Sequence, residues 1–365
     1  MARILNVISA VSPMGGTITK LRVLMTQSRM HKHYIYQPSF RTDENRLLKE
    51  REWYKQHGIP SYYGINGRNI FKNAKAVSRI IKENNIDIVH FYFNHEQSFA
   101  GLIKLMNPHV KMVRSIVGYD TRLSFFRRMV VRMSLSFISN YIFISKYIKE
   151  LYEDEYPILK TKCTKIIYNG PVNVKTPSVP YRNRKKIVVI GGLCERKNSM
   201  VLIEAMNIIV NQYKRRELTI YILGEGDQRE ISEAKIKSYA IENNVVLVGY
   251  TKAVTQYLDD CAIYVHSATT EGFGIAVVEA MQMHCPCIVA DKGALPELIV
   301  DGESGYIVDA FDAQAWAEKI LYLYDHLDER IRMGENAYNR AMEKFSLDAF
   351  VRNHDNFYNS LLNKK

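Results

Sequence analysis

Long apolar runs are missing from this 365-residue chain. No stretch approaches the roughly 18 consecutive apolar residues that a membrane-spanning helix needs, so none is expected. A secretion signal is missing as well. Met1-Ala-Arg-Ile-Leu-Asn-Val-Ile-Ser9 lacks the charged-then-apolar layout and the small-residue cleavage site, and reads as a first strand. Cysteines are few: Cys163, Cys194, Cys261, Cys285 and Cys287, an odd number without metal-ligand spacing. This argues against a disulfide framework or a structural metal, and a reducing cytoplasm is the simplest compartment. Cys285-Pro-Cys287 leads into the apolar Ile288-Val289-Ala290 and reads as small core filler rather than a redox pair. There is no internal repeat and no nucleic-acid module, and the aromatics are not arranged as a stacking platform.

Acidic residues are in short supply, 38 against 50 Lys and Arg, leaving a net charge of +12. Such an excess implies an anionic partner: nucleotide, nucleic acid or acidic membrane surface. Residues 111–150 hold eight Lys/Arg against Asp120 and Glu150. Inside that span, 122–137 interleaves four arginines with Leu123, Phe125, Phe126, Met129, Val130, Met133 and Leu135. A basic helix rich in apolar residues fits an anionic lipid surface. Because the arginines spread over roughly 220° of the helix at 100° per residue, an ordinary surface helix with solvated arginines is the competing reading.

With 47% hydrophobic and 24% charged residues, the chain has a soluble globular composition and a length suited to two domains. Short apolar runs alternate with helical patterns. Ile4–Ile8, Ile86–His90, Lys111–Ile116, Tyr141–Ile144 and Thr164–Tyr168 predict strands of one sheet. Ile187–Ile190, Leu218–Leu223, Val245–Val248, Ala262–His266 and Cys287–Ala290 predict a second. Helical periodicity falls between them, as over Ile70–Asn84, Met200–Tyr213 and Glu230–Asn243. This alternation predicts α/β architecture: two Rossmann-like, doubly wound parallel-sheet domains, with a ligand cleft expected between them. The expected boundaries are 1–170 for the first domain, 171–186 for a Pro- and Asn-rich linker and hinge, and 187–345 for the second. A final helix over 346–365 carries Phe350, His354, Phe357, Tyr358 and Leu361 on one stripe and is expected to return to the first domain.

The chemistry concentrates in Glu271-Gly-Phe-Gly-Ile-Ala-Val-Val-Glu279, between the apolar run ending near Val265 and the helical pattern from Ile275. Strand, tight loop and helix are implied. Glycines let backbone approach a ligand, and the first free N–H groups of a helix attract phosphate. Glu271 and Glu279 would repel phosphate, so they suit hydroxyl groups. A sugar nucleotide satisfies both conditions, whereas an amphipathic helix with incidental glutamates would need no ligand.

These residues belong to a wider set. Gly224-Glu-Gly226, Val248-Gly-Tyr250, Glu271…Glu279, Gly293-Ala-Leu-Pro-Glu-Leu-Ile299 and Asp301-Gly-Glu-Ser-Gly305 follow in order. Met14-Gly-Gly16, Asp87-Ile-Val-His90, Ser145 and Tyr168-Asn-Gly170 precede them. In these motifs the chain resembles the retaining glycosyltransferases of family 4 (glycosyl transferases group 1), with GT-B architecture. The resemblance implies transfer of a sugar from a nucleotide, UDP being favoured, to a glycan or lipid-linked acceptor in surface polysaccharide synthesis. It implies front-face attack with the departing phosphate as base, without a metal or other cofactor. Lys197, with Arg196, would stabilise the leaving diphosphate together with helix amides. Glu271 would hold donor-sugar hydroxyls and Glu279 the ribose, while Gly272, Phe273, Gly274 and Ile275 would present amides to the diphosphate. Gly15 and Gly16 would approach the diphosphate from the first domain. His90, His95 and Asp120 are candidates for contact with acceptor or sugar.

Two positions depart from the pattern. Gly192 stands where the family carries arginine, and Val117 where it often carries histidine. An altered donor, relocated groups and a weakened enzyme are all compatible with these departures. The alternatives to transfer are therefore an impaired homologue that binds nucleotide sugar or supports a partner transferase, and a sugar-nucleotide epimerase of the same fold. The expected location is the cytoplasm, including the inner face of the membrane.

Overall fold

Apolar runs flanked by helices become parallel strands buried on both faces, which is why they read as near-continuous hydrophobic segments. The computed structural model describes every residue except 10–15, 39–43, 65–66, 68, 120–124, 172–176 and 364–365. The chain divides into two compact units, one of Met1–Asn169 with Leu347–Lys365 and one of Gly170–Ser346.

The first unit is built on β1 (Arg3–Val7), β2 (Lys32–Gln37), β3 (Ser61–Tyr63), β4 (Ile88–Phe91), β5 (Lys111–Ile116), β6 (Asn140–Phe143) and β7 (Cys163–Ile166). Their order across the sheet is β3-β2-β1-β4-β5-β6-β7, all parallel. The second unit contains β8 (Lys186–Ile190), β9 (Ile220–Leu223), β10 (Val245–Gly249), β11 (Cys261–His266), β12 (Cys287–Ala290) and β13 (Gly305–Val308). They lie in the order β10-β9-β8-β11-β12-β13, again all parallel. β2, β3 and β13 have no counterpart in the sequence expectation. β2 is Lys-His-Tyr-Ile-Tyr-Gln, whose polar residues disguise a buried strand, and β3 has only three residues. The single helix expected over Met200–Tyr213 is a helix Ser199–Asn207 that continues as a π-turn over Ile208–Gln212.

The stretch expected as a linker is fastened to the second unit along much of its length. Ser178 N donates to Asp259 Oδ1 (2.5 Å), Tyr181 OH to the Ala262 carbonyl (2.8 Å) and Arg184 Nη1 to the Met283 carbonyl (2.6 Å). These bonds remove 178–184 from any freely swinging connection.

Helix Leu347–Leu362 completes the core of the first unit. Phe350, Val351, Phe357, Tyr358 and Leu361 pack with Ile4, Leu24, Ile88, Val113 and Ile142. Polar contacts fix its register: Tyr358 OH lies 2.7 Å from His90 Nδ1, His31 Nε2 lies 3.2 Å from the Asp355 carbonyl, and Ser28 Oγ donates to Asp355 Oδ1 (2.6 Å). Burial dominates the titration of the histidines in this layer, lowering His33 to about 3 and His354 to about 4. Both are neutral in the folded protein at pH 7.

The sign of the resulting pH dependence follows. Unfolded histidine takes up a proton near 6.5, whereas the folded rings refuse it until much lower pH. Stability is unaffected above about 6.5 and falls progressively as pH drops from there toward 4. At one pKa unit per 1.36 kcal/mol, His354 alone should cost up to about 3 kcal/mol at the acid end. Melting temperature measured from pH 7.5 to 4.5 should fall, and His354→Leu should flatten that slope.

Candidate active site

In the second unit β8 and β11 are neighbours, but the chain leaves β8 toward β9 and leaves β11 toward β12. At such a switch point the two crossovers diverge and open a crevice at the carboxyl ends of the strands. The loop after β8 carries Arg196 and Lys197, and the loop after β11 carries Glu271.

Backbone contacts hold both loops. Gly191 N donates to the Leu223 carbonyl (2.9 Å), Leu193 N to the Glu225 carbonyl (3.1 Å) and Gln228 N to the Leu193 carbonyl (2.9 Å). The approach is so close that a Cβ on Gly226 would lie 2.0 Å from the Leu193 carbonyl oxygen. Gly192 is under the same constraint, since a Cβ there would meet the Glu225 carbonyl oxygen at 2.9 Å. Contact with the Glu225 backbone thus explains why this chain has glycine at that position.

Glu195–Lys197 form one 3₁₀ turn, followed by Asn198 in the left-handed region (φ 50°). Thr269 N donates to the Arg196 carbonyl (2.9 Å), and Ser267 Oγ donates to the carbonyls of Lys197 (3.1 Å) and Asn198 (3.0 Å). From below, Gly293 (φ 62°) passes against the Glu271 backbone, and Ala294 N donates to the Glu271 carbonyl (2.9 Å). The loops so joined bring Lys197 Nζ to 2.5 Å from Glu271 Oε2, with both side chains largely buried.

His266, at the end of β11, shares the same oxygen. Its Nε2 is 3.4 Å from Glu271 Oε2, and its Nδ1 is 3.1 Å from Tyr264 OH. Burial lowers the pKa of His266, with the Lys197 charge adding to the effect against the pull of Glu271, so the ring is neutral. An ionised carboxylate can only accept, so the neutral ring carries its proton on Nε2, facing Glu271, and Nδ1 is left to accept from Tyr264 OH. Burial alone would raise the Glu271 pKa, but the His266 hydrogen bond and the Lys197 charge overcome it and hold the carboxyl near 2.

Gly274 enters helix Ile275–Gln282 in the left-handed region (φ 96°), where a Cβ would be strained and would crowd the Leu295 and Leu298 side chains at 3.1 Å. The helix start therefore presents Ile275 and Ala276 amides beside Glu271. Phe273 is buried and Gly272 half-buried. Glu279, one turn inside the helix, is half-buried and reinforces the effect of burial in raising the Tyr264 pKa. Arg196 is exposed, and it contributes to keeping His266 neutral.

The first unit distributes its candidates differently. Gly16 opens helix Gly16–Gln27 and, with Val117, lines a cavity of about 160 Å³ that also borders Lys20, Tyr92, Ser115 and Asn169. Gly15 and Asp120 lie outside the described residues, and His95 falls in helix Asn94–Gln97. His90 does not line the cavity and is fully buried. Its Nε2 is 2.8 Å from Ser115 Oγ, and Nδ1 is within reach of both Tyr358 OH and Tyr92 OH. Its expected role as a sugar contact is therefore replaced by one in the core.

His266 and Tyr264 were missed by sequence reasoning. The available signal was a histidine ending an otherwise apolar strand, five residues before the first glutamate.

Comparison with known proteins matches these elements. Residues 174–340 match the family Glycosyl transferases group 1, and residues 24–171 match Glycosyltransferase Family 4. An uncharacterised glycosyltransferase of Methanocaldococcus jannaschii is 26% identical over 81% of this chain and 82% of its own length. The poly(glycerol-phosphate) alpha-glucosyltransferase of Bacillus subtilis is 26% identical over 50% of this chain, which spans only 26% of that enzyme. The Staphylococcus aureus capsular polysaccharide biosynthesis glycosyltransferase CapM is 27% identical over 47% of this chain and 45% of its own length. Among solved structures, a glycosyltransferase from Rickettsia africae superposes with TM-score 0.77 at 21% identity, covering 100% of this chain and 99% of that one. The Anabaena protein HepE, solved with UDP and glucose, superposes with TM-score 0.74 at 18% identity, covering 99% of this chain and 100% of its own. The chain belongs to the group 1, family 4 glycosyltransferases and has the GT-B fold.

The seating of the β8 loop makes a direct prediction. Gly226→Ala forces a methyl into the Leu193 carbonyl, where backbone on both sides resists movement, and should destabilise the second unit by about 1–3 kcal/mol. Gly16→Ala, with nothing within 4 Å of the new Cβ, should leave the melting temperature nearly unchanged. Calorimetric scans of both variants test this.

Proposed function

We propose that this chain transfers a hexose-type sugar from a nucleoside diphosphate, UDP first among them, to a glycan or lipid-linked acceptor in surface polysaccharide synthesis. The observation that carries the reading is the Lys197–Glu271 pair at the switch point, beside the open start of helix Ile275–Gln282. The pair contains the two groups that the reaction needs. The ammonium meets negative charge as it develops on the leaving diphosphate, and the carboxylate accepts hydrogen bonds from sugar hydroxyls. Arg196 lends further positive charge. Gly272 to Ile275 supply amides to the diphosphate and Glu279 receives the ribose. Anomeric configuration is retained by front-face attack, with the leaving phosphate as base. Lys197 and the helix amides serve in place of a metal. Relatives named for polymer-phosphate and capsule chemistry support a surface-glycan acceptor.

The reading extends to a membrane surface, with a change in the residues involved. Among the basic residues of 111–150, Arg114 is buried against the Phe93 carbonyl, while Lys146 and Lys149 pair with Glu150 and Glu153. These face the protein or are neutralised. Helix Phe125–Phe137 does present Met129, Met133 and Phe137 outward beside exposed Arg128 and Arg132, of which Arg128 lies 3.6 Å from Glu155. It packs on helix Ala100–Met106, where Leu105 and Met106 are exposed, and that helix packs on Ile70–Asn84. Together the three helices carry eight Lys/Arg and one Glu. Exposed apolar side chains set among that much positive charge suit an anionic bilayer at the cytoplasmic face.

The donor assignment is tested by thermal shift against UDP-, GDP-, ADP- and TDP-sugars. One sugar nucleotide at 100 times its Kd should stabilise by about 2.7 kcal/mol, and Glu279→Ala should weaken that response. Lys197→Ala should cut turnover about 10²- to 10³-fold, in line with loss of one charge-stabilising group. If no sugar nucleotide binds the folded protein, the chain is better read as an impaired homologue; turnover left intact in Lys197→Ala would instead remove Lys197 from the catalytic step. For the membrane face, flotation with phosphatidylglycerol vesicles should recover the protein and phosphatidylcholine vesicles should not. Leu105→Glu with Met133→Glu should abolish flotation without lowering the melting temperature.

A further inference from the structure

One oxygen of Glu271 serves two donors at unequal distances, 2.5 Å from Lys197 Nζ and 3.4 Å from His266 Nε2. The lysine contact is short for an ammonium–carboxylate bond, whereas the histidine contact is near the limit of a useful hydrogen bond. Without ligand, the carboxylate therefore leans toward the lysine. Resting on the reading above, in which Lys197 meets the diphosphate and Glu271 the sugar, donor binding asks the two groups to separate. A carboxylate that lost the lysine in a largely buried site would become costly.

We propose that His266 is the positioning residue that takes over Glu271 when the donor's phosphates draw Lys197 away. Three features fit this hand-over. His266 is fixed at the end of a wholly buried strand and is itself 2% exposed, so its ring cannot follow the lysine. Tyr264 OH on Nδ1 holds the tautomer whose Nε2–H faces the carboxylate. The gap between Nε2 and Oε2 closes with a small rotation of the glutamate side chain, which would aim the other carboxylate oxygen at the sugar. His266 thus acts through Glu271, and Tyr264 acts through His266. The exchange moves no proton, since the imidazole donates a hydrogen bond and stays neutral.

The test uses the full chain with UDP, UDP-glucose, UDP-galactose and UDP-N-acetylglucosamine as probes. In wild type the UDP-sugar that binds should bind more tightly than UDP, and that difference reads the sugar contacts. His266→Phe should keep UDP affinity within about threefold while lowering affinity for the UDP-sugar tenfold or more. His266→Gln, which restores a side-chain N–H near Nε2, should recover most of the loss. Equal weakening of UDP and UDP-sugar, or failure of His266→Gln to rescue, would assign His266 a merely structural part and overturn the proposal.

A second measurement needs no nucleotide and no folded His266 variant. In Lys197→Met, ¹⁵N resonances of the His266 ring should titrate at higher pH than in wild type. The lysine charge has gone and the freed carboxylate has turned to the imidazole. An unchanged titration would overturn the hand-over. If that shift appears but no sugar nucleotide binds wild type, the pairing of Glu271 with His266 in the lysine's absence stands, and the donor assignment falls together with the hand-over that a donor would trigger.

Discussion

A lysine and a glutamate 74 residues apart meet at a single carboxylate oxygen, and much of the second unit is arranged to make that meeting possible. Either charge left alone at this depth would be costly. Placing β11 directly beside β8 brings the two loops to the same end of the sheet. The glycines at 192, 224 and 226 then let one loop rest on the backbone of the next, without side chains as spacers. Ser267 and Thr269 tie the second loop to carbonyls of the first, and Gly293 closes the site from below. Each contact is ordinary, but together they leave the ammonium and carboxylate little freedom except relative to each other. That pre-paid order is what electrostatic stabilisation of a leaving group requires.

How far this could be read from the chain depended on whether each feature is local. Five of the six strands of the second unit announce themselves as apolar runs, and β12 begins and ends where the run does. Glu271 stood out because a Gly-Phe-Gly turn follows it, and Lys197 because it falls where the lysine of the resembled family does. β2 was concealed because His33 and Gln37 are buried polar residues, and a pattern search treats such residues as surface. His90 shows the same limit from the other side. A histidine at a strand end invites a ligand, but its partner Tyr358 is 268 residues away, and only the fold brings them together. His266 escaped notice because its importance depends on Glu271 Oε2 lying nearby, a matter of side-chain direction. The basic stretch was legible as charge but not as a surface, since burial of Arg114 and pairing of Lys146 and Lys149 do not follow from composition.

The two units solve core packing by different chemistry. The second is apolar through most of its sheet, with Cys261, Cys285 and Cys287 serving as small buried residues, the thiols of Cys285 and Cys287 facing backbone carbonyls. The first places polar residues in its central layer, where Asn6, His33, His90, Tyr92 and Tyr358 are joined by hydrogen bonds. A hydrogen-bonded polar layer favours one register for the helix crossing it, because a slip breaks those bonds. The apolar contacts around it supply attraction and the polar layer supplies uniqueness.

The return of helix Leu347–Leu362 to the first unit bears on how the protein is made. During synthesis, the surface formed by Ala2, Ile4, Leu24, Ile88, Val113 and Ile142 has no cover until that helix emerges. At typical rates, ribosomes take on the order of ten to forty seconds to make the intervening residues. The second unit is meanwhile contiguous in the chain and can fold as soon as it is released. The part of the protein that is begun first is therefore finished last, and its greasy flank must be shielded throughout the interval.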